Sequence, residues 1–290
     1  RLAMSRQATA LATFMLALDN LSFIQSSVAM LDVFSLTFML GAFLLYLKDR
    51  YLLSGIAASL SALVKLYGAL ALPAIVLHWL FTHRPRDIRP LVIMVLVAPL
   101  SFALLMIPFD FIVFHRLIDP ISRTSSMLSL SGSLTFGTVT HEAATRPWEW
   151  LWRPVLMAYW YEPHYTAAIS FTIWALIIPV VCYMTYRALR GNEAELFGVM
   201  WFVSTYLLWI PTSLATNRIS FVFYFYPNVG AVCIGLGLGL SQLVAIWEKR
   251  KSSRLRWLAL LVPIYLVLHV AVFVILTPVF IREFALYVFK

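Results

Sequence analysis

An all-α polytopic membrane protein is the fold class predicted here, and three observations predict it. The chain is 62% hydrophobic and only 12% charged over 290 residues. Its mean hydropathy of +0.86 describes more apolar surface than one soluble core of this size can bury. Its Lys and Arg residues gather in short clusters between apolar runs, where a membrane topology needs them. The net charge of +9 is therefore assigned to topology, and nucleic acid is not an expected partner. Cys182 and Cys233 each lie inside an apolar run and predict packed thiols rather than a disulfide or metal framework.

About nine crossings are expected, near residues 7–24, 30–47, 51–65, 67–81, 91–112, 166–186, 196–214, 219–246 and 257–277. The first is apolar up to Asp19 and again from Asn20 to Leu31, and reads as one crossing that ends in a wet turn before the second. The stretch 51–81 decides the count. If Lys65 marks a turn, segments 1–6, 48–50, 82–90, 187–195 and 248–256 share one side and hold 14 of the 22 Lys and Arg residues, which makes that side cytoplasmic. A single long helix would move Arg84, Arg86 and Arg89 to the side opposite Lys48 and Arg50. Each half falls short of the ~20 residues a full span needs, so a shallow helical pair is expected, with Lys65 near its extracytoplasmic turn.

Three segments follow: N-proximal helices over 1–112, an extracytoplasmic loop over 113–165, and C-terminal helices over 166–290. A loop this long is functional or disordered, and its Trp density predicts an ordered loop with interfacial helices. An aromatic belt accounts for the rings alone. Arg146-Pro147-Trp148-Glu149-Trp150 goes further, since a stiff aromatic frame holding both charges suits a sugar face against indole and a phosphate against guanidinium. Arg218 is read either as a cation snorkelling to the interface or as an anchor for an anionic lipid headgroup beside Tyr224, Tyr226 and Asn228. Gly230, Gly235, Gly237 and Gly239 are expected to permit close helix packing.

The stretch Gln25 to Asp32 is the centre of this reading. An aspartate at the mouth of a membrane helix is expensive unless it faces water, a cation or a substrate, so Asp32 is a candidate active-site residue. The plain alternative is a helix N-cap. Asp19 carries a similar choice, as a site carboxylate or as an acid in a wet turn. His141 is a candidate for proton transfer or for a hydrogen bond to a sugar.

Several of these stretches resemble one family. Asp19-Asn20 followed by Gln25-Ser26-Ser27-Val28-Ala29-Met30-Leu31-Asp32 is similar to a segment of the dolichyl-phosphate-mannose protein O-mannosyltransferases, membrane glycosyltransferases of the GT-C fold. Leu63-Val64-Lys65-Leu66-Tyr67-Gly68 resembles their Lys-aromatic-x-Gly segment at a short helical pair. Thr140-His141, Arg146 to Trp150 and Arg218 to Tyr224 resemble the loop and late-helix motifs of prokaryotic members. The resemblance is spread over residues 8–230. Ser27 departs from it, standing where the family usually has arginine. The family's acidic first loop, with the acceptor-activating carboxylate, is expected upstream of Arg1.

The resemblance implies transfer of a sugar, foremost mannose, from a polyprenyl (dolichyl) phosphate to an acceptor outside the cytoplasm, foremost protein Ser/Thr. The lipid phosphate is then the leaving group, and its charge must be stabilised by basic side chains or by a divalent metal ion. Lys65, Arg146 and Arg218 are the candidate cations, with Trp148, Glu149, Trp150 and Tyr224 as further substrate contacts. Asp32 is left with three roles: metal ligand, holder of one of these cations, or orienter of the acceptor. The expected setting is a prokaryotic plasma membrane in preference to the endoplasmic reticulum, with the bilayer, the lipid-linked sugar and a protein or lipid acceptor as partners. Alternatives are a GT-C transferase with a lipid acceptor, such as a lipid A aminoarabinose transferase, a noncatalytic membrane subunit, or a transporter. A transporter would be expected to show internal repeats, and none is evident.

Overall fold

The computed structural model describes residues 2, 4–82, 87–161, 164–249 and 257–277. The described chain is mostly helical, with α1 (Arg6–Ala17), α2 (Asn20–Ser27), α3 (Leu31–Leu47), α4 (Tyr51–Val64), α5 (Ala71–Phe81), α6 (Arg89–Phe114), α7 (Pro120–Ser133) and α8 (Glu149–Trp152) in its first half. A hairpin of β1 (Met157–Tyr161) and β2 (His164–Ala167) follows, then α9 (Phe171–Trp174), α10 (Ile177–Leu189), α11 (Glu193–Phe202), α12 (Trp209–Thr216), α13 (Tyr226–Lys249) and α14 (Trp257–Leu276). The chain forms two compact units, one of 30–142 with 203–220, the other of 2–29, 143–202 and the chain from 221 onward.

Three helical runs, Arg89–Phe114, Glu193–Thr216 and Val222–Ile246, are long and apolar enough to cross a membrane, and a fourth span is added if α1 and α2 count as one. On length and composition this is fewer than the nine crossings expected. The difference lies in shorter apolar helices such as α3 and α4, whose 17 and 14 residues rise only ~1.5 Å each against a hydrocarbon core of ~30 Å. Of the basic clusters, Arg84, Arg86 and residues 250–256 lie outside the described residues.

In the first unit, α3 and α4 run antiparallel. Ser54 Oγ donates to the Ala42 carbonyl at 2.8 Å, and Ser35 and Ser61 exchange hydroxyl-to-carbonyl bonds at 3.0 and 2.7 Å. Small hydroxylated residues bring the backbones together while satisfying their own polar atoms. The chain breaks at Lys65, whose extended backbone (φ −155°, ψ 126°) ends α4; a 3₁₀ turn over Leu66–Leu70 then leads into α5. The expected helical pair with Lys65 at its turn is thus present. α4 also packs along α6 from matching ends, because a Cβ on Gly55 would lie 2.8 Å from the Met94 carbonyl oxygen.

Two local structures build the segment 113–165, a helix as expected of this loop and a strand pair that was not expected. Helix α7 starts on Asp119, whose carboxylate accepts from the Ser122 N–H at 2.8 Å, with Pro120 in the first turn. The antiparallel β1–β2 hairpin, with a bulge between Ala158 and Trp160, departs from an all-α description. Its Tyr, Trp and Thr content favours strands.

In the second unit, α1 and α2 bend by 58° and meet at Asp19. The turn is dry: Asp19 and Asn20 are both fully buried. Gly230 sits against Trp201, Gly235 against Val180 and Met184, and Gly237 against Ala8 and Ala12, so three of the four α13 glycines serve close approach. Gly239 meets only Tyr183 at 3.9 Å, an ordinary contact.

Replacing Gly55 with Leu is expected to destabilise the protein by about 1–3 kcal/mol, because the clash is with backbone that has nowhere to rotate. Thermal unfolding of the detergent-solubilised protein should show the loss, and the corresponding Gly41→Leu change, with open space around its Cβ position, should not.

Candidate active site

The antiparallel pairing of α3 with α4 sets the start of one helix beside the end of the other. Asp32, in the first turn of α3, therefore faces Lys65, the residue that ends α4. Lys65 Nζ donates to both carboxylate oxygens at 2.8 Å, and Tyr67 Oη donates to Oδ1 at 3.1 Å. The ammonium also lies 5.3 Å from the centre of the Tyr67 ring. The Asp32 side chain is fully buried, while 26% of the Lys65 side chain remains exposed. Asp32 is not the N-cap of α3: Met30 holds that place, and no side chain caps the helix. A carboxylate in the first turn is still favoured by the helix dipole.

This arrangement separates the roles left open for Asp32. Both oxygens are directed at a cation on the same chain, so the carboxylate fixes Lys65 rather than presenting an open coordination edge. Among the described residues no cluster of three or more His, Cys, Asp or Glu side chains has metal-site spacing. Tyr67 completes the cluster and is missing from the sequence-derived site set. The signal for it is its place two residues beyond Lys65 in the same short segment.

Other predicted site residues of the first unit lie elsewhere in it. The Arg218 guanidinium bonds the Ser131 hydroxyl, and its backbone pairs with Thr135, so residues 217–219 run as a short bridge beside 134–136. Arg218 is therefore tied to the end of α7 instead of snorkelling freely. His141 is exposed just before a turn of the same unit.

In the second unit the segment 145–153 is a compact structural knot. The Arg146 N–H donates to Glu149 Oε1 at 2.9 Å, closing the turn that leads into α8, and the other Glu149 oxygen pairs with Arg153. The Arg146 guanidinium lies 5.8 Å from the Trp148 ring centre, and Trp148 is half-buried. Trp150 is a correction. It is fully buried, its Nε1 donates to Thr145 Oγ1 at 2.9 Å, and its carbonyl accepts from Trp174 Nε1 at 3.0 Å, so its ring is core and not a sugar platform. Glu149 is likewise occupied by the Arg146 N–H and the Arg153 ion pair. Tyr224, 9% exposed, packs edge-on to Phe221 and Phe223.

Asp19, expected as a site carboxylate or a wet-turn acid, is neither solvated nor open. Its Oδ2 accepts from the Ser22 N–H and hydroxyl at 2.9 Å, and its Oδ1 accepts from the Ser170 N–H at 3.0 Å. Asn20 donates to the Leu276 carbonyl at 2.9 Å and accepts from the Ala168 N–H at 2.8 Å. These two residues clip three distant segments together. Gln25, buried in α2, donates to the Tyr159 hydroxyl at 2.6 Å and ties the motif helix to β1.

Removing Lys65 alone (Lys65→Met) leaves a buried carboxylate without its cation and is expected to cost about 3–5 kcal/mol. The double variant Asp32→Leu, Lys65→Met should recover most of that loss, as read from denaturant unfolding in micelles. Single and double variants of equal stability would remove the ion pair from this account. No protein-family model matches the chain, and no characterised protein or solved structure matches it either.

Proposed function

We propose that this chain is the membrane module of a glycosyltransferase that moves a sugar, foremost mannose, from a polyprenyl phosphate to a hydroxyl acceptor, foremost protein Ser/Thr. The observation that carries the reading is the Asp32–Lys65–Tyr67 cluster at the break between α4 and α5, where a buried carboxylate holds a partly exposed ammonium in one orientation. It joins two of the segments that resemble the O-mannosyltransferases, Gln25 to Asp32 and Leu63 to Gly68. In this reading the bent α1–α2 pair and the five shorter apolar helices cross the membrane as the three long runs do, nine crossings in all. In this reading the bundle is of GT-C type in a prokaryotic plasma membrane, with 113–165 on the extracytoplasmic side.

The chemistry asks for one thing above all. As the acceptor oxygen bonds to the anomeric carbon, the bond from that carbon to the phosphate oxygen breaks, and the polyprenyl phosphate leaves with the electron pair. The acceptor proton passes to a base. A fixed cation beside the departing oxygen stabilises charge that grows only in the transition state. Lys65 supplies that cation, and Asp32 is a positioning residue acting through it. Arg146 over Trp148 offers a second cation-aromatic pair of the same kind. A bound divalent ion, where the reaction uses one, would supply the same charge stabilisation.

Asp32→Asn is expected to lower transfer from polyprenyl-phosphate mannose to a Ser/Thr-rich peptide by ~100-fold or more in lipid vesicles. The drop should fall in kcat with little change in the KM for peptide, and Lys65→Arg should retain more activity than Lys65→Met. The assay uses the full-length protein, with elution as a single folded species as the control. Folded Asp32→Asn with wild-type turnover would sink the assignment. Folded wild type that neither transfers nor binds any of several polyprenyl-phosphate sugars would sink the enzyme reading itself.

A further inference from the structure

Helix α6, long and apolar enough to cross a membrane, carries a single carboxylate, Asp110, which is 7% exposed. An ionisable group in such a helix is costly and marks a functional site by default. Its cation is Arg123 of α7, whose guanidinium also lies 4.9 Å from the Phe114 ring centre. The pairing is incomplete. Arg123 Nε stands 3.4 Å from Asp110 Oδ1 without a hydrogen bond to any acceptor, and Asp110 Oδ2 accepts from no donor among the described residues, although both atoms are buried. Beside the pair, α6 and α7 leave a groove of about 450 Å³ between them, lined by Phe102, Ala103, Ile121, Thr124, Ser125 and Leu128. Ala103 lies about two turns before Asp110 on the same face of α6, and Thr124 adjoins Arg123, so the groove leads towards the pair.

A carboxylate and a guanidinium set against each other cancel in charge, so an anion would meet Asp110 and a cation would meet Arg123, each at a disadvantage. The two unmet atoms select a group that accepts from Nε–H and donates to Oδ2, and a hydroxyl does both. The lining asks the rest of that molecule to be apolar. Thr124 Oγ1 is already bonded to the Pro120 carbonyl at 2.7 Å, so ester carbonyls placed in the groove would find few donors. We propose that the α6–α7 groove binds a long-chain alcohol of the bilayer, a lipid with one hydroxyl at the end of one apolar chain, whose hydroxyl bridges Arg123 Nε to Asp110 Oδ2. The site is separate from the Asp32 cluster, because α6 meets α4 through Met94 and Ala98, on the face away from Asp110. It depends on the chain being a membrane protein and not on the sugar-transfer reading.

Photolabelling of the full chain in phosphatidylcholine vesicles with a diazirine-bearing hexadecanol, followed by mapping of the labelled residues, tests the proposal. Label should fall within 102–128. Unlabelled hexadecanol should compete about tenfold better than hexadecane, hexadecanoate or hexadecylamine, which is the worth of a hydroxyl bonded to charged groups. The double variant Asp110→Leu, Arg123→Met should erase that advantage while the chain still labels the groove, and exchanging an ion pair for apolar side chains is commonly neutral for folding. Ser125→Trp, at an exposed position, should block the groove and remove the label. Hexadecanoate or hexadecylamine competing as well as the alcohol, an alcohol advantage that survives the double variant, or label confined to other segments would each overturn it. Dioleoylglycerol competing as well as hexadecanol would overturn it in favour of a two-chain lipid, and equal competition by alcohol and hydrocarbon would overturn it in favour of a buried water at the pair.

Discussion

An ionised carboxylate left alone in a chain this apolar would cost several kcal/mol, and the first unit is arranged around meeting that cost. Asp32 enters the interior at the start of α3. Only the end of an antiparallel neighbour can bring a cation to it, and α4 has the length to do so. For Lys65 to turn inward, the helix has to stop at Val64, and the extended backbone at Lys65 is that stop. The break then sets the 3₁₀ turn, and the turn returns Tyr67 to the same carboxylate. Ion pair, helix break and return helix are three aspects of one constraint.

The second unit meets the same demand without a cation. Asp19 and Asn20 are as deeply buried as Asp32, yet their partners are backbone amides, carbonyls and hydroxyls. Such a network is rigid because every member is satisfied, and it leaves no edge for a ligand. The two aspartates are thus held differently. The Asp19 carboxylate is met by N–H and hydroxyl groups, and the Asp32 carboxylate is met by a cation that stays partly exposed.

Much of the helical pattern was legible in the sequence because apolar runs and basic punctuation report it directly. The break at Lys65 is the best case, since charge bias alone required a turn there. The dry state of Asp19 was hidden because its partners, Ser170 and Ser22, are ordinary residues whose approach only tertiary structure reveals. Trp150 and Trp148 differ by two positions in one motif, and the sequence has no means of telling the core ring from the half-buried one. The α7 start was readable in Asp119-Pro120, an N-cap followed by the residue that best begins a helix, but it was masked by the Ser-rich run that follows. The hairpin was obscured in the same way, its strand-forming aromatics also being what an interfacial belt requires.

The Asn20 clip has a consequence for how the molecule is made. Its amide donates to the carbonyl of Leu276, 256 positions later, and its other partners sit at Ala168, Ser170 and Thr277. A chain threaded into a membrane from its amino-terminal side would therefore hold a polar amide in apolar surroundings until nearly all of these helices had followed. During that interval the bend at Asp19 stays unfinished, although α1 and α2 are made well before α14. Closure comes from α14, which seals a bend 256 positions upstream of it.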